Sequence, residues 1–259
     1  MFDRLHATCL SWAGAMALAT GAALVAGGGG QARAADAAER AIIGFSPDGA
    51  YFAFEQYGIQ DGSGFPYSDV FVLETATDSW VRGTPARELV RNEAVSVDQV
   101  RQTARKRIDP YLWRLNIGVN GKTLVSDRAA DARDAARFLP FTLADDGDKL
   151  GLGTVRLRLT EIAMPKEDCT ALGVSPHGYA LVLENEAGEP LRILHEDTSI
   201  PASRGCPVHY GLSDIIVYPR SGEGPVLVVL LSIYQFGFEG LDRRFLALST
   251  TFDTNPSTQ

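Results

Sequence analysis

Short apolar runs broken by glycine, proline and aspartate dominate the chain, and that spacing predicts strands. Residues 41–45 and 51–57 are apolar and aromatic, and Ser46-Pro47-Asp48-Gly49 between them is turn chemistry. Pro47 presets one backbone angle, Asp48 can bond its own backbone, and Gly49 tolerates a positive φ. A third strand over 69–74, after a Gly-rich polar loop over 58–68, completes an antiparallel meander. In the second half Val155, Leu157 and Leu159 alternate with Arg156, Arg158 and Thr160, the mark of a strand with one wet face. Further strands are expected over 179–184, 191–195, 215–218, 226–234 and 244–251. Residues 226–231 are apolar without alternation, which predicts burial on both faces.

Helical spacing is convincing in one place. Ser96 and Gln99 make a capping box, and Val97, Val100, Ala104 and Ile108 form one apolar stripe. Arg101, Arg105, Lys106 and Arg107 lie opposite, where a charge run usually meets water. Pro110 ends this helix or starts a second short one through Tyr111-Leu112-Trp113. Asn120-Gly121 predicts a tight turn between two short strands, and the Ala-rich residues 129–136 a short helix or an exposed insertion. The expected architecture is mainly β: antiparallel meanders in a propeller-like or sandwich-like arrangement, with one inserted helical segment.

The N-terminus changes the picture. Arg4 precedes an uncharged stretch over 10–30, and Ala32-Arg33-Ala34 fits the small-x-small pattern of a signal peptidase site. A signal peptide over 1–34 is expected, because the stretch is richer in Ala and Gly than a span of about 20 strongly apolar residues. Cys9 precedes the apolar stretch and so is not placed to carry a lipid. The product is expected in the periplasm or secreted. It would be a single β-rich domain over 35–252, with 35–150 and 151–252 as candidate sub-halves and a frayed tail over 253–259. The net charge of −8 disfavours nucleic acid and anionic membrane as general partners. No later segment suits stable membrane insertion. Cys169 and Cys206 survive processing, and in an oxidising compartment they are expected to form a disulfide, contributing about 4 kcal/mol in the chain-entropy model.

Candidate chemistry concentrates between His195 and Tyr210, where Asp197, Ser203, Arg204 and His209 could meet beside that disulfide. A hydrolase would use Ser203 as nucleophile, His209 as base and Asp197 or Asp214 as the orienting acid, but no Gly-x-Ser-x-Gly elbow occurs. His177, His195 and His209 lack the spacing of a metal pair on one helix face. Asp145-Asp146-Gly147-Asp148 lacks the alternating acids of a calcium loop. No cofactor fingerprint is present, so no cofactor or metal is expected. Gly237-Phe238-Glu239-Gly240 either presents its aromatic ring on a loop tip or turns it back into the core.

Phe45-Ser46-Pro47-Asp48-Gly49, Tyr51-Phe52-Ala53-Phe54 and Val70-Phe71-Val72-Leu73 together resemble one blade repeat of the periplasmic TolB-type propellers. Gly44 to Gly49 has an echo in Gly173 to Gly178, though no copy lies between them and a helix interrupts. The mature chain as a whole resembles a bacterial family of predicted secreted proteins with a domain of unknown function. That resemblance rests on the Ser-Pro-Asp-Gly unit, on residues 197–207 with Tyr210, and on Gly237-Phe238-Glu239-Gly240 with Asp242-Arg243-Arg244-Phe245. It implies secretion and overall shape, and supplies no catalytic residues. The expected function is a non-enzymatic binding module for an unknown protein or envelope ligand. Its surface would comprise Asp197, Arg204, His209, Tyr210, Phe238, Glu239 and Arg243. An envelope hydrolase acting on carbohydrate, ester or peptide and a structural envelope component are the alternatives.

Overall fold

The computed structural model describes residues 35–129, 131–143, 153–220 and 224–252. The expected signal peptide, Asp145-Asp146-Gly147-Asp148 and the tail lie outside them. The described residues build three antiparallel sheets and one long helix.

The first sheet comprises β1 (Glu39–Phe45), β2 (Tyr51–Ile59), β3 (Pro66–Glu74), β4 (Ser79–Trp80) and β5 (Ala86–Leu89), in the order β1-β2-β3 with β4 and β5 both on β3. The Ser46 to Gly49 turn forms as its residue types demand. Ser46 Oγ accepts from the Tyr51 amide at 2.9 Å, Asp48 Oδ1 from the Ala50 amide at 3.0 Å, and Gly49 has φ +70°. The expected loop over 58–68 is shorter than its composition suggests, because β2 and β3 pair as far as Ile59 opposite Pro66.

Helix α1 (Val97–Arg114) begins at Ser96 with the capping box, and it continues through Pro110 rather than breaking there. Proline forfeits a hydrogen bond at that turn. Ile108 and Leu112 on either side are buried with Ala104 against Ala53, Val70, Val72 and Ala86 of the first sheet, and this packing holds the helix across the defect.

The third sheet contains β7 (Phe138–Thr142), β8 (Thr154–Ala163), β9 (His177–Asn185) and β10 (Pro190–Glu196) in meander order; the four-residue helix α2 (Glu167–Thr170) lies between β8 and β9. Between the first and third sheets lies the central one, ordered β13-β12-β11-β6, from β6 (Lys122–Ser126), β11 (Pro207–Tyr218), β12 (Val226–Phe236) and β13 (Leu241–Thr251). Its strand β12 divides its side chains by parity. Val226, Val228 and Leu230 pack with Phe45, Phe52, Phe54 and Phe71 of the first sheet. Leu227, Val229, Leu231 and Ile233 pack with Leu157, Leu159, Leu181 and Leu183 of the third. The unbroken apolar run is therefore buried on both faces, and the layers succeed one another as helix, first sheet, central sheet, third sheet. The arrangement is the sandwich-like one.

Other expectations need revision. Residues 131–136 form turns and a bridge from Ala136 to Leu212, not a helix. Asn120-Gly121 joins an isolated bridge at Val119 to β6. A side chain at Gly121 would lie 2.6 Å from the Phe45 ring, so close approach, not a hairpin, accounts for that glycine. Strand β11 starts eight residues earlier than its apolar pattern indicates, since His209, Ser213 and Asp214 occupy strand positions. A division at residue 150 would cut two sheets, because β6 pairs with β11 and β7 with β8.

Removing volume from the doubly covered strand is expected to cost most. Leu230→Ala should lower stability by about 3 kcal/mol, against less than about 1 kcal/mol for Leu191→Ala, which is 43% exposed. Urea denaturation of both variants checks the ranking.

Candidate functional site

Two places gather the special-purpose residues. The first is a polar cluster where β8, β9 and β10 meet the start of β11. Asp197 follows β10 and is buried, and its carboxylate is surrounded by donors. Oδ2 accepts from the Tyr179 amide at 2.9 Å and from Arg204 Nη1 at 2.5 Å, while Oδ1 contacts His195 Nε2 at 2.8 Å. The Arg204 guanidinium also sits over the Tyr179 ring at 4.9 Å, and the His195 ring stacks on that tyrosine at 4.5 Å. Glycine is required at 178, because a Cβ there would come within 2.9 Å of the Asp197 Cβ.

The turn carrying Arg204 (Ala202–Arg204, a single 3-10 turn) is tied down from several directions. Cys206 forms a disulfide with Cys169, with 5.5 Å between Cα atoms. Lys166 Nζ donates to the Gly205 carbonyl at 2.8 Å, and Gln235 Nε2 to the Arg204 carbonyl at 2.6 Å. A cleft of about 320 Å³ opens beside it, lined by Met164, Lys166, Thr198 and Ser199 among others.

A second carboxylate, Glu161 on β8, accepts from the Tyr210 amide at 2.8 Å, pairs with Arg137 at 2.7 Å and faces His209 Nδ1 at 3.4 Å. The His209 ring lies nearly parallel to that of His177, 6.4 Å away. Ser203 is exposed on its turn, and Asp214 is buried against Arg40, which reaches across from β1. The histidine and the two acids thus have separate partners, and the serine faces solvent. No group of three or more His, Cys, Asp or Glu among the described residues is arranged to hold a metal ion.

Burial also reshapes the acid–base chemistry. Alone it would push the Asp197 carboxyl up, but the hydrogen bonds from His195, Arg204 and the Tyr179 amide outweigh it and hold the group below the usual aspartate value. Burial drives the Tyr210 phenol up to about 12, against the opposing pull of Arg204. Neither phenol nor carboxyl changes charge near neutral pH.

The second place is the pair of hairpin tips at one end of the first and central sheets. In the β12–β13 turn the Gly237 amide donates to the Gly240 carbonyl at 2.9 Å. The Glu239 amide donates to Asp61 Oδ2 in the β2–β3 turn at 2.8 Å. Phe238 leans over Gly62, where a Cβ would lie 3.2 Å from its ring, and where φ is +73°. The ring remains 81% exposed, so it does not turn back into the core; Phe236 and Ile59 are also more than half exposed.

The residues singled out from the sequence therefore divide. Phe238 and Glu239 are exposed at the tips, and His209 is partly so. Asp197, Tyr210 and Arg243 are buried, and Arg204 nearly so. Arg243 belongs to the scaffold: its guanidinium donates to the Ala38 carbonyl at 2.7 Å and the Ala129 carbonyl at 2.5 Å. Glu161 and Tyr179 were not legible as site residues, since each sits at an ordinary position of an alternating strand. Gly178 in the Ser-Pro-His-Gly segment was the one local hint.

A carboxyl held low in the fold contributes stability that is complete above its unfolded value of about 3.9 and is lost as pH falls through the lower folded value. Asp197→Asn strands the Arg204 cation and should cost about 3 kcal/mol near neutral pH. Urea titrations should show the gap between wild type and variant closing below about pH 4; a gap independent of pH would refute the pairing.

The family model described as "Predicted secreted protein (DUF2259)" matches residues 53–250, from within β2 to near the end of β13. The match agrees with the family resemblance drawn from residues 197–207 and 237–245, and lends no support to the TolB-type likeness of residues 45–73. No curated protein and no solved structure matches the chain. No helix among the described residues is long and apolar enough to cross a membrane. With three sheets built almost wholly from the matched residues, the chain belongs to this family of predicted secreted proteins.

Proposed function

We propose that the protein is exported by a signal peptide cleaved after Ala34 and acts outside the cytoplasm as a non-enzymatic binding module, with the paired hairpin tips as its contact surface. The binding role rests on Phe238. An aromatic ring 81% exposed, with Phe236 and Ile59 exposed at the ends of the same two hairpins, is apolar surface that folding has left open. The tip is also ordered in advance. Hydrogen bonds from Glu239 to Asp61 and from Gly237 to Gly240 fix both turns, so little conformational freedom remains to be lost on contact. The hydrolase alternative lacks an assembled nucleophile and base, since Ser203 stands in solvent and His209 faces Glu161.

Export is supported by the disulfide and by the way the fold receives the new N-terminus. Asp36, two residues beyond the cleavage site, is buried; its carboxylate accepts from Tyr67 Oη at 2.9 Å and from Arg244 Nη2 at 2.5 Å. Its carbonyl accepts from the Arg243 amide at 2.8 Å, which lays the first mature residues along β13. Intact-mass measurement of the protein recovered from the cell envelope should give a chain beginning at Ala35. A chain still carrying Met1 would rule the cleavage out.

A photo-crosslinking residue placed at Phe238 in intact cells should give a discrete adduct. The same probe at Ile193, 62% exposed on the third sheet, should not. No adduct at Phe238, or equal adducts at both, would remove the tips as the contact surface.

A further inference from the structure

The segment that leads into α1 and the helix itself depart from the charge of the chain as a whole. Residues 81–114 hold eight of the chain's 24 Lys and Arg but only four of its 32 Asp and Glu. A local excess of four positive charges thus stands in a chain whose net charge is −8. Two of the four acids are already engaged: Glu88 pairs with Arg107 at 2.8 Å and Asp98 with Arg101 at 3.6 Å. Arg101 spends the rest of its guanidinium on buried Glu55. Arg105, Lys106 and Arg114 make no ion pair among the described residues, and Arg114 lies over the Tyr111 ring at 4.9 Å.

An apolar side chain shares this surface. Val100, Ala104, Ile108 and Leu112 face the first sheet, so helical spacing puts Lys106 and Trp113 on the opposite ridge, seven residues apart. Trp113 is 85% exposed, the most exposed large hydrophobic side chain among the described residues. A tryptophan standing out among cations is the arrangement that suits a bilayer interface, where the ring sits at headgroup depth and Lys and Arg meet lipid phosphates. The acidic remainder of the molecule opposes such contact only weakly. At physiological ionic strength charges are screened over about 8 Å, so the face that touches the membrane decides.

We propose that the outer face of α1 is a docking surface for anionic phospholipid, holding the exported protein against a membrane without insertion. It is separate from the hairpin tips, so either assignment can fail alone. The test uses the mature protein with vesicles of phosphatidylglycerol and phosphatidylcholine, against phosphatidylcholine alone, followed by co-sedimentation and tryptophan emission. Wild type should bind the anionic vesicles at least about tenfold more tightly, with a blue shift, and release them as salt rises. Reversing two unpaired cations, Arg105→Glu with Lys106→Glu, should weaken binding about tenfold or more. Trp113→Ala should abolish the blue shift, while circular dichroism shows both variants folded. Equal binding to both vesicles, no binding to either, or full binding by the charge-reversed variant overturns the proposal. So does polyglutamate binding as tight as that of the vesicles, which would assign the face to an acidic polypeptide.

Discussion

A sheet covered on both faces leaves its strands nowhere to put a charge, and the rest of this fold is arranged around that constraint. β12 meets it by being apolar at both parities. Its neighbours carry polar groups into the same layer, and several are met by partners from other elements. Asp214 on β11 receives Arg40 from β1, together with Ser126 and Ser213. Ser249 on β13 bonds Thr75 and Asp78 beyond β3. The Phe245 amide donates to the Gln56 side chain at 2.8 Å. A buried ion pair such as Arg40 with Asp214 adds little net stability over an apolar equivalent, but loss of one member leaves an unpaired charge between two sheets. Such pairs therefore act more as registration marks between layers than as a source of stability.

The same constraint sets where function can reside. With the central sheet closed on both sides, exposed chemistry is confined to strand ends, connecting turns and the outer faces of the stack. The hairpin tips, the disulfide-tied turn and the outer side of α1 are all in such places. Rigidity reaches the turn at Arg204 through Asp197, which hydrogen-bonds the β9 backbone, and through Cys169 in the segment joining β8 to β9. Its geometry is thus inherited from the third sheet.

What could be seen in the sequence followed local rules. The capping box at Ser96, the Ser46 to Gly49 turn, the non-alternating run over 226–231 and the cysteine pair all depend on neighbours a few residues away or on composition alone. What escaped depended on partners far along the chain. Pro110 stays helical because Ile108 and Leu112 are held by the first sheet. β11 begins at Pro207 because its polar first half pairs with β12 from Gln235 back to Leu230, and Asp214 within it finds its cation 174 residues earlier. The short strand expected after Asn120-Gly121 is present as β6, but its pairing with β11 lies about ninety residues away and has no local mark. In the candidate site Phe238 was legible from its glycine frame. Tyr210 and Arg243 were not, because polar residues on strands look the same in sequence whether they face water or the interior.

Net charge counted along the chain mixes two populations of arginine. Arg40, Arg204, Arg243 and Arg244 are largely withdrawn from solvent and spend their donors on carboxylates or backbone carbonyls. They contribute to the formal balance but little to the field outside. The carboxylates that three of them meet, Asp214, Asp197 and Asp36, are buried as well, so each pair is withdrawn from the outer field together. Arg105, Lys106 and Arg114, which make no ion pair among the described residues, keep their charge for the outer side of the helix. A molecule charged this way has a preferred side to present to an anionic surface, which a uniformly acidic one lacks.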